Sequence, residues 1–229
     1  MSEFVIDINN LVFSYTGKKP ILDINSFQLK AAEKIFLYGP SGCGKSTLLG
    51  IIAGVLRAES GAVKIFDNDF IKTSSSIRDK IRGEKMGYIF QMFNLVPYLS
   101  VLDNILLPCH LNKMRKKNFL NKAEMLEKAM SLCNSFKIDS LLKSQVTEIS
   151  IGQQQRVAAA RALLGNPELI IADEPTRAMD TDLQEIFLEN LLGQCEKQGT
   201  ALLFVSHDKR LSKMFHKEIS LPSINRVEQ

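Results

Sequence analysis

One stretch constrains this chain more than any other: Tyr38-Gly-Pro-Ser-Gly-Cys-Gly-Lys-Ser-Thr47. Gly39, Gly44, Lys45 and Ser46 fall on the spacing G-x-x-x-x-G-K-[ST], directly after the apolar run Ile35 to Tyr38, which reads as a buried strand. Glycines at those positions let the backbone curl until successive N–H groups point into one concavity, and a following helix adds the partial positive charge of its N-terminus. A polyphosphate fits such a cradle, formed here by Gly39, Pro40, Ser41, Gly42, Cys43, Gly44, Lys45, Ser46 and Thr47. Lys45 is placed to reach the β- and γ-phosphates as a point charge, and the Ser46 hydroxyl to ligate Mg²⁺. The helix that the mechanism requires is supplied by Leu48, Leu49, Ile51, Ile52, Val55 and Leu56.

The pattern around this loop changes twice. Before it, Val5, Ile6 and Ile8, then Leu11 to Tyr15, and then Phe27 and Leu29 read as short strands of an antiparallel sheet, with a turn over Thr16 to Pro20. Tyr15 closes one strand, where its ring serves either packing or contact with a purine base. After the loop, Gly61 begins a strand with Val63 and Ile65 that turns at Asp67 and Asn68, and Lys85 to Phe90 is a further strand ending at Gln91. A polar residue at the carboxyl end of a strand is where α/β sheets place ligands, although an exposed glutamine has a bland reading too.

From about Ser100 to Asn166 helical spacing takes over, so an inserted helical subdomain is expected at roughly 92–165. Ser100 caps a helix carrying Val101, Ile105 and Leu106 that breaks near Pro108. Leu120 to Phe136 forms another helix, and Ser150 caps the last, an alanine-rich run to Leu164 stopped by Gly165, Asn166 and Pro167.

Strands then return. Leu169 to Ala172 is apolar and ends in Asp173-Glu174-Pro175-Thr176, which places two carboxylates at the carboxyl edge of a buried strand. Asp173 suits a role on Mg²⁺, and Glu174 suits polarising an attacking water. Asp182 to Gln194 is an amphipathic helix, and Ala201 to Val205 a buried strand ending in Ser206-His207-Asp208. His207 is either a structural histidine or, at the same sheet edge as Lys45, a donor to a γ-phosphate.

Composition narrows the setting. With 229 residues the chain suits one large domain, and its formal charge of +4 is too small to imply nucleic acid. The basic run Lys113 to Lys117 has no interleaved aromatic residues, so it reads as a solvated helix end and no nucleic-acid partner is expected. Cys43, Cys109, Cys133 and Cys195 stand far apart, which suggests reduced cytosolic thiols. The acidic start Met-Ser-Glu-Phe-Val-Ile-Asp is not read as a signal peptide, and no apolar run approaches the ~20 residues that span a bilayer.

Together these pieces resemble the nucleotide-binding subunits of ATP-binding cassette (ABC) transporters over essentially the whole chain. The most specific element is Ile149-Ser-Ile-Gly-Gln-Gln-Gln-Arg-Val157, similar to the family signature Leu-Ser-Gly-Gly-Gln and standing about twenty residues before the acid pair. The resemblance implies one domain over residues 1–229 with the ABC ATPase fold: an α/β, P-loop NTPase core sheet, an N-terminal antiparallel β subdomain and the α-helical insert. It implies ATP and Mg²⁺ as cofactors and a head-to-tail dimer with a second copy of itself or a related cassette, in which Ser150 and Gly152 of one subunit close over ATP held by the other. It further implies Tyr15 as the adenine-stacking ring, Gln91 as a contact to Mg²⁺ and water, Asp173 on the metal, Glu174 as general base, Asp180 as a dimer contact and His207 on the γ-phosphate. A membrane permease is the implied partner, touching Gln91 to Ser100 from the cytoplasmic face of the membrane.

Two departures from the family pattern stand out. Ile151 replaces the first signature glycine, and Thr176-Arg-Ala-Met-Asp180 carries Arg177 where relatives have a small residue. The first points to retained but slower hydrolysis, and it leaves a low-turnover regulatory switch on a membrane partner as the alternative activity. Tyr88-Ile-Phe-Gln-Met-Phe-Asn-Leu-Val-Pro97 is similar to the separate ATPases of lipoprotein-release, macrolide-export and cell-division permeases. Only 22 residues follow His207, so no fused membrane or regulatory domain is expected.

Overall fold

A computed structural model describes residues 3–177 and 179–227. They form two compact units: the residues up to Arg82 together with those from Ala201 onward, and Gly83–Thr200.

In the first unit, β1 (Phe4–Ser14) pairs antiparallel with β2 (Pro20–Lys30) on one side and β4 (Ser60–Ile65) on the other, with the short β5 (Asn68–Asp69) beyond β4. The several short strands expected before the turn are one continuous strand. Its buried residues change phase, from Ile6 and Ile8 to Leu11 and Phe13, which a regular period of two cannot accommodate. The register against β4 shifts between Asn9 and Val12, and Asn10 has φ 50°, so a bulge returns both sets to the core. Gly61 lies opposite, where a Cβ would stand 2.3 Å from the Asn10 carbonyl oxygen.

The same unit holds a parallel set in which β3 (Lys34–Tyr38) lies between β8 (Ala201–Val205) and β9 (Lys217–Ser220). Burial on both faces explains why β3 and β8 read as unbroken apolar runs rather than alternating ones. Phe36 stacks on Phe204 with 6.0 Å between centroids, and Phe215 packs against both rings. The helices α1 (Lys45–Ile52) and α2 (Ser75–Lys85) follow β3 and β5 respectively. α2 was not legible in the sequence, because it buries little beyond Arg78 and Ile81 and so shows no apolar stripe.

In the second unit, β6 (Met86–Ile89) runs parallel to β7 (Leu169–Asp173). Its helices are α3 (Val101–Leu111), α4 (Lys113–Lys117), α5 (Lys122–Ser135), α6 (Ile151–Leu163) and α7 (Thr181–Gln198). Pro108 does not break α3, contrary to the sequence expectation. A proline removes one N–H, but Leu106 and Cys109 stay buried on either side of it, and the Asn112 N–H still reaches the Pro108 carbonyl at 3.0 Å. Tertiary packing carries the helix through.

The basic run also differs from its expected solvated state. Arg115 of α4 is buried, donating to the carbonyls of Leu164 and Met86, and burial pushes its guanidinium down to about 10, still charged at neutral pH. Its neighbours Lys113, Lys116 and Lys117 are not buried.

Gly87 sets how closely β6 approaches α6. A Cβ at this position would stand 2.3 Å from the Ala162 carbonyl oxygen and 2.7 Å from Ile170 Cδ1. A backbone oxygen cannot rotate away, so Gly87→Ala is expected to cost about 1–3 kcal/mol, read as a lower midpoint in urea denaturation. An unchanged midpoint would mean that strand and helix separate freely.

Candidate functional site

The phosphate-loop residues begin at the carboxyl end of β3. Gly42 and Gly44 have φ of 83° and 101°, and Gly44 is the residue that starts α1. A Cβ on Gly44 would also meet Leu22 Cδ2 at 2.8 Å, so a side chain is excluded by conformation and by space. The Lys45 ammonium donates to the carbonyls of Gly39 and Pro40, both at 2.8 Å, which pins it over the loop. Helix α1 starts without a side-chain cap or an acidic residue in its first turn, and Ser46 is exposed there. Early N–H groups without an intrahelical partner, a held ammonium and an open hydroxyl make an anion site.

Tyr15 reaches this loop. Its hydroxyl lies 3.4 Å from Thr47 Oγ1 and its ring packs edge-on against Phe13 at 5.0 Å, while 41% of the residue stays exposed. His207 follows β8, and the pairing Leu37↔Val205 together with the bond from Ser206 N to Leu37 O (3.2 Å) brings it out at the same edge as Gly39. The His207 side chain is exposed. Its neighbours are held: Asp208 accepts from the Arg210 guanidinium at 2.6 Å, which keeps its carboxyl below the usual range, and Lys209 Nζ sits 4.0 Å over the Tyr38 ring.

Sequence reasoning missed the support beneath the loop. The short helix α8 (Leu221–Ile224) follows β9, and Pro222 Cδ stands 3.0 Å from where a Cβ on Gly39 would be. Only Pro222 hinted at an element there.

In the second unit, the pairing Ile89↔Ala172 aligns the carboxyl ends of β6 and β7. Gln91 and the pair Asp173-Glu174 therefore emerge at one edge. Burial, and then the Asp173 carboxylate, push the Tyr88 phenol upward, so it stays protonated. Glu174 has φ 45°, an unusual conformation for a residue with a side chain. A tight turn closes behind it, with Arg177 N donating to Glu174 O at 3.3 Å and Met179 N to Thr176 O at 3.1 Å. Gln184 of α7 props this turn by donating to the carbonyls of Thr176 and Met179. Arg177 Nη1 lies 3.5 Å from Glu174 Oε2. Asp180 precedes α7 as its exposed first cap residue, and Ala178 lies outside the described residues.

Gln91 is exposed and opens a loop in which Phe93 and Asn94 have φ of 57° and 49°. Arg161 of α6 clamps both by donating to their carbonyls at 2.6 Å, and burial pushes its guanidinium down to about 10. The buried Asn104 ties down the following segment, accepting from Val96 N and donating to Val96, Leu99 and Ser100 carbonyls. Neither residue was singled out in the sequence, where each looks like an ordinary polar residue on a helix.

Ser150 caps α6 reciprocally with Gln153: its Oγ accepts from Gln153 N at 3.3 Å and its N–H donates to Gln153 Oε1 at 2.8 Å. Ile151 is 55% exposed, and a Cβ on Gly152 would meet nothing within 4 Å. The signature residues thus form an open helix start.

Comparison with known proteins places the chain in a family. The profile of the ABC transporter family matches residues 22–177. Over 217 residues the chain is 37% identical to YvrO, an uncharacterized ABC transporter ATP-binding protein of Bacillus subtilis, covering 91% of this chain and 90% of the relative. It is 32% identical over 224 residues to LolD, the lipoprotein-releasing system ATP-binding protein of Hydrogenovibrio crunogenus, covering 96% and 95%. Among solved structures, the dimeric bacterial ABC transporter cassette MJ0796 superposes with a TM-score of 0.83 at 31% identity, covering 94% of this chain and 93% of that one. Its dimeric post-hydrolysis state bound to ADP and Pi gives 0.83 at 30% identity over the same shares. A mixed α/β cassette with a phosphate loop, an acid pair and a capped signature helix, matched over most of its length, places this chain in the ABC transporter family as one of its ATP-binding ATPase cassettes.

Proposed function

We propose that two copies of this chain bind Mg·ATP head to tail, hydrolyse it, and drive a conformational change in a membrane permease. The observation that carries this reading is the open, capped start of α6 at Ser150–Gly152, which has helix-start N–H groups to offer and, among the described residues, nothing within 4 Å of where a Cβ on Gly152 would stand. A phosphate held by the loop of a second copy is the complement it fits. Residues 1–229 act as a single cassette with the helical insert at 92–165, at the cytoplasmic face of the membrane.

Each site residue has a role in this reading. Lys45 and the loop N–H groups hold the β- and γ-phosphates, Tyr15 lies against the adenine, and His207 donates to the γ-phosphate. Glu174 accepts a proton from the attacking water, and Asp180 contacts the second copy. Mg²⁺ bound with nucleotide takes few protein ligands, and the donors here suit that: the exposed hydroxyl of Ser46, the carboxylate of Asp173 and the amide of Gln91. When bound, the ion neutralises charge on the phosphates. Catalysis by the chain's own groups is positioning and charge stabilisation.

The permease contact falls on Gln91–Ser100. Phe90, Met92 and Tyr98 are exposed there, the last two by 79% and 78%, on a loop whose backbone Arg161 and Asn104 hold. A cavity of about 400 Å³ adjoins it, with Phe90, Asn94, Leu107 and Leu111 in its lining. No helix among the described residues is long and apolar enough to cross a membrane. LolD is named for lipoprotein release, and a permease of the lipoprotein-release or macrolide-export type is the partner class favoured here.

Gly152→Asp tests the shared site. The position has room, and an acid in the first turn of a helix favours folding, so the variant should melt no lower than the parent. Its charge would face phosphate, so loss of MgATP-dependent dimerisation in sedimentation and a roughly ten-fold drop in turnover are expected. Full turnover by monomeric Gly152→Asp would sink the two-copy site.

A further inference from the structure

We infer that α4 and the turn after it form a membrane-binding patch, in which Lys113, Lys116, Lys117 and Lys122 take anionic phospholipid headgroups and Leu120 inserts beneath them. No acidic residue occurs between Asp103 and Glu124. The four lysines are exposed, and none is paired with a carboxylate among the described residues. Apolar side chains stand in solvent among them: Leu120 is 94% exposed and Leu111 78%, with Met114 also exposed. The lysines surround a hollow of about 340 Å³ whose lining includes Phe119 and Met125. The nearest acids of α5, Glu124 and Glu127, line a different cavity, and Glu124 already accepts from the Leu120 N–H at 2.6 Å.

Packing fixes this presentation. Arg115 turns inward to the Leu164 carbonyl, Asn118 donates to the Gly165 carbonyl at 2.7 Å, and Asn121 accepts from Glu124 N at 2.9 Å. The lysines on either side of these anchors are left outward, where like charges repel one another and an anionic surface relieves the repulsion. A cationic rim around an apolar floor is the complement of a leaflet surface, with phosphates outside and hydrocarbon below. Each lysine close to an anionic leaflet gives roughly a five-fold gain in partitioning. Nucleic acid is the other common polyanion, but proteins grip its single strands by stacking bases on open aromatic rings, and the one ring of this segment, Phe119, is half-buried. The patch also continues the proposed permease surface, because Leu111 lines the cavity beside Gln91–Ser100. The inference rests on the reading of that face as turned toward the membrane, and adds to it a contact that needs no permease.

Flotation of the full chain with vesicles tests this, using equal parts of phosphatidylglycerol and phosphatidylcholine against phosphatidylcholine alone. The parent is expected to float with the anionic vesicles only, and to be released at about 1 M salt, where the Debye length is ~3 Å. The combined variant K113Q/K116Q/K117Q/K122Q should partition roughly ten-fold or more weakly, and L120S about three-fold more weakly. Both should keep the parental melting temperature and the parental turnover in solution, since all five side chains are exposed. K64Q/K80Q/K197Q/K213Q removes the same charge from exposed lysines elsewhere and should float like the parent. Equal losses in the two quadruple variants would reduce the effect to net charge and overturn the patch. Binding to oligouridylate with none to anionic vesicles would overturn it in favour of nucleic acid. The underlying reading fails separately: vesicle binding without ATP-dependent dimerisation keeps the patch and loses the cassette mechanism, and dimerisation without vesicle binding does the reverse.

Discussion

Glu174→Gln is expected to lower kcat for ATP hydrolysis by about 10²–10⁴-fold while leaving MgATP binding and MgATP-dependent dimerisation in place. The substitution keeps shape and removes only the ability to take a proton. The surroundings favour so specific an outcome. The residue follows β7, whose Leu169, Ile170, Ile171 and Ala172 are fully buried, and its backbone is held by the turn to Arg177 and by Gln184. The pair with Arg177 is weak at 3.5 Å, and the amide that replaces the carboxylate keeps an oxygen to accept from it. Phosphate-release assays give the rate, and sedimentation gives the dimer. Because binding persists while turnover stops, the variant should accumulate as a nucleotide-bound dimer. A rate within about two-fold of the parent would remove Glu174 from the proton transfer, since general base catalysis is worth far more than that.

Lys45→Ala is expected to fail one step earlier, at binding. Nζ is held by two carbonyls at 2.8 Å within the loop, so the ammonium is already oriented before nucleotide arrives. A hydrogen bond to a charged group contributes about 1.5–3 kcal/mol, which corresponds to a roughly ten- to hundred-fold weaker Kd for MgATP. Turnover at subsaturating ATP should fall at least as far, and ATP-dependent dimerisation should shift to higher nucleotide concentration. Equilibrium binding with a fluorescent ATP analogue measures the first, and circular dichroism checks that folding is intact. The contrast with Glu174→Gln carries the argument: one variant binds without turning over, the other binds poorly. Tight binding by Lys45→Ala would mean that backbone N–H groups and α1 alone hold the phosphates.

Much of the fold was legible because the motifs are local. The spacing of Gly39, Gly44, Lys45 and Ser46 encodes a loop conformation that those residues adopt themselves, and the φ values of Gly42 and Gly44 express it. Ser150 and Gln153 cap α6 within four consecutive residues, and doubly buried strands such as β8 announce themselves as apolar runs. Where reading failed, the determinant was remote in sequence. The helix through Pro108, the burial of Arg115 and the bulge at Asn10 each depend on what packs against them.

The sequence by itself determined the identity and order of the chemical groups, because phosphate loops, caps and strand-end acids depend on neighbours a few residues away. Only the tertiary structure decided how those groups are held. Arg161 reaches the carbonyls of Phe93 and Asn94, Gln184 reaches Thr176, and Pro222 comes up beneath Gly39. Buried carbonyls must find donors, and the donors that packing brings near can come from anywhere in the chain.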